Sequence, residues 1–282
     1  MSAFMNFFHA LGEYTFLQNA LIAGAMIGLI AGIIGAFSIL QGTALIGDAM
    51  SHAVLPGIAI AALMGIPYYW GAGVFGLLAA LVINFISEHT PLKTDAAIGL
   101  TFSTFFALGT IIMTAGHSTT KLTDILFGNI LAVSSGDLIS SLVIGLIVIA
   151  VVTTFYRELY LTTFDRSYAQ AQGIRANLFR NILVVLITLV IIVALRAVGV
   201  ILVTALLITP AASARLVVKR FQPMLWLSSF FGLISAFVGL FLSYTFDWPS
   251  GPAIVVTGAV IFIISFLIHL VTRRRMHDQA TK

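Results

Sequence analysis

Asp48 and His52 stand four residues apart inside an otherwise apolar stretch, ALIGDAMSHAVLPGIAIAAL, which begins at Ala44. On a helix, residues at i and i+4 share one face, with Cβ atoms about 6 Å apart. A carboxylate beside an imidazole is an oxygen-and-nitrogen donor pair suited to manganese, zinc or iron(II). An ionisable residue at membrane depth costs about 3 kcal/mol on insertion scales and marks a substrate path or a proton relay. Three uses fit the pair at this stage: a metal path, a proton relay, and an Asp–His contact that holds neighbouring helices together. One Asp and one His are too few to close a site around an ion. A two-fold dimer would set a second pair opposite the first, because a symmetric interface is isologous. Four ligands from two chains would then grip an ion on the axis. Pro56 and Gly57 follow one turn later. A proline inside a helix removes a backbone hydrogen bond and kinks it, which serves gating or packing equally well.

The remaining chemistry-bearing residues are placed differently. Glu13, Glu88, Asp95, Asp124, Asp137, Glu158, Asp165, Asp247 and Asp278 lie at the ends of apolar runs or between them. So do His9, His89, His117, His269 and His277. Cysteine is absent, so there is no disulfide framework and any metal site must use nitrogen and oxygen. Ser51 directly precedes His52, and adjacent helix positions diverge, which makes a poor nucleophile and base. No lysine follows a glycine, so a Walker A loop is missing, and there is no H-E-x-x-H. The match of 71–76 to G-x-G-x-x-G opens an apolar run rather than joining strand to helix. Close helix approach through small residues accounts for it better, as it does for Gly24, Gly28 and Gly32.

The elements that position Asp48 and His52 must be membrane helices. Of 282 residues, 60% are hydrophobic and 9% charged, against about 25% charged in a soluble domain. A spanning helix needs about 20 apolar residues. Nine runs qualify: 16–40, 43–64, 69–87, 96–116, 138–156, 180–195, 198–218, 225–245 and 252–271. The stretch 122–135 is too short and too polar to span alone, and reads as re-entrant or interfacial, so the expected count is eight or nine. The fold class is thus an all-α polytopic membrane protein with one transmembrane domain over 1–282. The start lacks a basic region, and Glu13 precedes the first run, so that run reads as a retained span. With the basic tail 272–282 cytoplasmic, Lys93, Arg157, Arg166, Arg175, Arg180, Arg215, Lys219, Arg220 and the tail lie inside, and only Lys121 and Arg196 outside. The positive-inside rule selects that orientation. The net charge of +4 is therefore a topology signal and does not point to nucleic acid.

The polar loop 157–180 reads RELYLTTFDRSYAQAQGIRANLFR. Asp165 suits an N-cap, Tyr168 to Gln172 favour a helical turn or two, and Gly173 suits a stop. The spacing predicts a short helix on the cytoplasmic surface, either interfacial or a dock for a motor subunit.

Three segments together resemble the zinc/manganese/iron class of ABC importer permeases: GDAMSHAVLPG at 47–57, FDRSYAQAQGI at 164–174, and GVILVTALLITPAASARLV at 199–217. In detail they are similar to the manganese permease subunits of streptococci. The resemblance covers essentially the whole chain. It implies a homodimer in a bacterial cell membrane, a pair of cytoplasmic ATP-binding subunits, and an extracellular metal-binding lipoprotein. It implies that Asp48 and His52 are the metal ligands of a pore on the dimer axis. Asp165, Ala169 and Gly173 would carry the coupling helix that enters the ATPase. Pro210 would kink the third segment. The expected substrate is a divalent ion, manganese in the first place and zinc or iron as alternatives, with no permanently bound cofactor. The expected protein is a permease and not an enzyme. The retained alternative is a proton-coupled secondary metal transporter with Asp48 and His52 as relay.

Overall fold

A chain this apolar must satisfy its backbone hydrogen bonds internally wherever lipid surrounds it, and the α-helix does so locally. The computed structural model describes residues 2–116 and 130–280, and every regular element among them is helical. In chain order these are α1 (Ser2–Glu13), α2 (Thr15–Leu40), α3 (Ala44–Ala53), α4 (Leu55–Met64), α5 (Tyr68–His89) and α6 (Thr94–Ala115). After a 3-10 turn at Ile130–Ala132 come α7 (Ser135–Thr154), α8 (Tyr156–Phe164), α9 (Arg166–Ala171), α10 (Ala176–Val217), α11 (Phe221–Phe246) and α12 (Ser250–Ala280). Among the described residues eight helices are long and apolar enough to cross a membrane, with α3 and α4 together forming one of them.

The 42 residues of α10 would measure about 63 Å as one helix, twice the hydrocarbon thickness of about 30 Å. The chain instead breaks at Gly199, where φ is 78° and ψ is 166°, a conformation open essentially to glycine alone. The contacts show a reversal. In the first arm, Ala176–Leu195, Arg180 reaches Thr94 at 3.5 Å, while Leu189 and Ile192 stand beside Tyr69, Trp70 and Asp137. In the second arm, Leu202–Val217, Leu207 covers Gly47 and Leu216 accepts a contact from His269 at 2.9 Å. Phe221, just beyond this arm, packs on Phe37, Tyr156 and Tyr160. The second arm therefore returns to the face that carries α8 and α9. The runs expected at 180–195 and 198–218 are two antiparallel arms, and the second falls short of full spanning length.

This alternation defines two faces. The loop face holds α8, α9, the 90–93 turn and the 218–220 turn. The opposite face holds Tyr14, Tyr68, Tyr69, Trp70 and Trp248, all exposed, an aromatic belt of the kind that sits at a membrane boundary. The helix α1 was not expected from sequence. It is too short to span, and its buried Phe7 inserts among Phe237, Phe241 and Tyr244 of α11. Of the stretch 122–135, residues 122–129 lie outside the described residues. The described part turns at Ile130, whose side chain packs against Gly24. The basic segment after 271 continues α12 as far as Ala280.

Small residues set the helix spacing, as their pattern suggested. On α2, Gly24 faces Ala236, Gly28 faces Gly232 and Gly32 faces Ser229, all on α11. Ser228 donates across this interface to the Gly32 carbonyl at 2.7 Å, and Ser229 donates to the Leu29 carbonyl at 3.3 Å. Interhelical hydrogen bonds and close backbone packing replace the hydrophobic drive that lipid removes. A Cβ on Gly28 would lie 2.6 Å from the Gly232 carbonyl oxygen. Gly28→Val is therefore expected to lower the melting temperature of the purified chain, with a cost of about 1–3 kcal/mol from overpacking. Gly73→Ala, which faces open space, is expected to leave it unchanged. Equal melting of the two variants would refute this account of the α2–α11 seam.

A candidate metal-binding pair and a capped surface helix

The site is built on α3, whose buried face carries Ile46, Ala49, Met50 and Ala53. Gly47 lets this helix sit directly under Leu207 of the second arm, where a larger residue would collide with the leucine side chain. Ser51 is buried, and its hydroxyl donates to the Gly47 carbonyl at 2.9 Å, so it forms no pair with His52. Asp48 and His52 emerge together at the flank. His52 lies about 12 Å along the helix from Ala44, nearer the loop face than the opposite end.

Asp48 and His52 stand at ion-pair distance. His52 Nε2 and Asp48 Oδ1 are 3.8 Å apart, with side-chain exposures of 19% and 51%. That is beyond the 2.7–3.2 Å of a hydrogen bond. Two donors each about 2.1 Å from one ion stand about 3–4 Å apart, so the gap suits a shared cation. The His52 ring lies against Phe102 and Phe106 of α6, with centroids at 5.1 Å and 5.5 Å and both pairs edge-on. Its Nδ1 is buried without a hydrogen-bond partner. Spacing within α3 held no signal for these phenylalanines, which come to it through tertiary packing.

The helix stops at Val54 and restarts as α4, with Pro56 in its first turn. Proline has no N–H with which to close the i−4 bond to the His52 carbonyl, so the break falls one turn after Asp48 and His52. Pro56 and Gly57 are both buried. Gly57 meets the backbone of Gly71, so it serves close packing of α4 on α5. Gly76 of the same glycine run packs against Val54 and Thr188. Pro210 is enclosed in the second arm of α10, but the non-helical residue of that helix is Gly199.

Among the described residues no group of three His, Cys, Asp or Glu side chains could hold a metal. His9 pairs with Glu13 at 3.5 Å, His89 stacks on Phe85, and His269 ties α12 to the end of the second arm. Asp137 forms a capping box with Ser134 at the start of α7. Asp124, His117, Lys121 and the His277 side chain lie outside the described residues.

The loop helix forms as its caps direct, over Arg166–Ala171, slightly before the expected turn. Asp165 accepts from the Tyr168 N–H at 2.9 Å. Gly173 turns at φ 78°, and Gly173 and Ile174 donate to the carbonyls of Gln170 and Ala169 at 2.9 and 3.0 Å. This pair of bonds is a Schellman stop. Ala169 is fully buried and seats the helix on the chain, whereas Tyr168 and Phe164 are about half exposed.

Comparison with known proteins accords with this architecture. The manganese transport system membrane protein MntC of Listeria monocytogenes is 47% identical over 263 residues, covering 93% of this chain and 94% of the relative. The manganese import system permease protein ScaB of Streptococcus gordonii is 47% identical over 262 residues, with coverage of 93% and 94%. A chain in the solved structure of PsaBC from Streptococcus pneumoniae in complex with Fab superposes with a TM-score of 0.85 at 44% identity, covering 93% of this chain and 95% of that one. Residues 13–269 match the ABC 3 transport family. With the match spanning all but the ends of the chain, this multi-pass membrane protein belongs to the ABC 3 transport family.

Proposed function

We propose that the chain is the pore-forming permease of a bacterial ATP-binding-cassette importer for divalent manganese. The observation that carries this reading is the half-exposed Asp48 beside His52, two donors set for one ion on the flank of a membrane helix. The substrate follows from relatives named for manganese transport or import. A second copy of the chain adds to the site: two chains on a two-fold axis bring four donors, and water fills the remaining positions of a six-coordinate ion. The loop face is cytoplasmic, as the positive-inside rule requires. An extracellular metal-binding lipoprotein delivers the ion to the opposite face, and alternating access moves it past the pair. ATP is hydrolysed by separate cytoplasmic subunits.

In this reading α9 is the element that receives the motor's motion. Its caps make it a rigid knob, and Tyr168 is its exposed aromatic, the residue type that anchors interfaces. Tyr168→Ala is expected to reduce manganese-stimulated ATP hydrolysis of the assembled transporter by about 10-fold, a loss of about 1.4 kcal/mol. The chain's own melting temperature should stay unchanged. Asp165→Ala should lose the cap, worth about 1 kcal/mol, and impair coupling alongside.

The test of the whole reading is uptake into vesicles holding this chain and its ATP-binding partner. ATP-dependent manganese accumulation supports it. Uptake driven by a proton gradient without ATP would replace it with secondary transport.

A further inference from the structure

We infer that Phe102 and Phe106 are positioning residues for metal capture, clamping the His52 ring so that Nε2 faces Asp48 while Nδ1 is denied a strong acceptor. The inference rests on the reading of Asp48 and His52 as ligands. The two phenyl rings stand one turn apart on α6, 6.0 Å from each other, and each meets the imidazole edge-on, at interplanar angles of 64° and 81°. Helix packing therefore sets the ring's orientation, and no hydrogen bond to Nδ1 does. Nδ1 is sealed, which leaves Nε2, on the side of Asp48 Oδ1, as the nitrogen that can meet an ion.

The choice of wall has a chemical consequence. A metal-ligating histidine almost always donates its second N–H to a carboxylate, carbonyl or water, which fixes the ring and raises its basicity. Phenyl rings fix the ring but offer at most a weak N–H···π contact. His52 is thereby a preorganised and modest ligand. A transport site needs that combination, because an ion held too tightly does not leave.

Phe105 supplies the control. It is the neighbouring buried ring on α6, but it packs on Phe75 at 6.2 Å. The half-saturating manganese concentration for uptake by the assembled transporter is measured at matched membrane abundance. It is expected to rise about 10-fold in Phe102→Leu and in Phe106→Leu, the lower end of outer-shell effects. The preference for manganese over zinc in competition should fall with it. Phe106→Tyr, which keeps the ring, and Phe105→Leu should retain wild-type values. Should a leucine variant fail to reach the membrane, Phe102→Met carries the same expectation with a more adaptable side chain. Unchanged half-saturation in the Phe102 and Phe106 variants, or an equal rise in Phe105→Leu, overturns the clamp alone, provided His52→Ala abolishes uptake. Unimpaired uptake in His52→Ala overturns the ligand reading and the clamp together.

Discussion

Asp48→Ala is expected to abolish manganese accumulation in cells carrying the whole transporter, while the variant reaches the membrane at wild-type level. The loss should exceed the about 10–100-fold that outer-shell changes cost, because in the proposed dimer each substitution removes two ligands from one site. The same change should cost the fold little. Asp48 is half exposed and lies outside hydrogen-bond range of His52, and exposed ion pairs contribute about 0–1 kcal/mol. A packing contact predicts the reverse pattern: a less stable chain that still transports in proportion to its abundance. Asp48→Asn sharpens the contrast, since it keeps the shape and deletes the charge. Elemental analysis of manganese, zinc and iron, with immunoblotting of membranes, reads both quantities. Retained accumulation in Asp48→Asn and Asp48→Ala would return the pair to a packing role.

The second large effect is expected at a residue with no reactive group. Gly199→Val should lower the melting temperature of the purified chain by roughly 5 °C or more, since a forced φ near 78° costs about 1–3 kcal/mol and more for a β-branched side chain. The arms on either side can be antiparallel only if the chain turns there, and the second arm holds Gly47, and with it α3, in place. Pro210→Ala is expected to leave the melting temperature unchanged or raised, because the substitution restores a helical N–H. Thermal unfolding by intrinsic fluorescence in detergent compares the two. A drop at Pro210 with none at Gly199 would move the turn to the proline.

Several features were legible because their causes are local. The length and hydropathy of the apolar runs announce membrane helices, since a bilayer imposes a minimum length and forbids unpaired backbone. Asp165 and Gly173 announce a short helix because capping is satisfied within a few residues. Gly24, Gly28 and Gly32 announce a packing seam because one helix face repeats at that spacing. The i, i+4 relation of Asp48 and His52 was likewise readable, and the two side chains do stand together, 3.8 Å apart.

Other features depend on segments far apart in the chain. Proline is a local breaker by rule and Pro210 lies inside the second arm, but the reversal of the chain falls at Gly199. The helix α1 was invisible because its placement depends on Phe4, Phe7 and Phe8 meeting aromatic rings of α11, more than 200 residues away. Sequence by itself determined that the chain is a bundle of membrane helices with one ionisable donor pair inside an apolar span, because burial in lipid constrains every residue type locally. Only the tertiary structure decided the distance between Nε2 and Oδ1, the half-exposure of Asp48 and the phenyl wall around His52, because each is set by the packing of α3 against α6 and α10, and no spacing within one helix encodes how two others meet it.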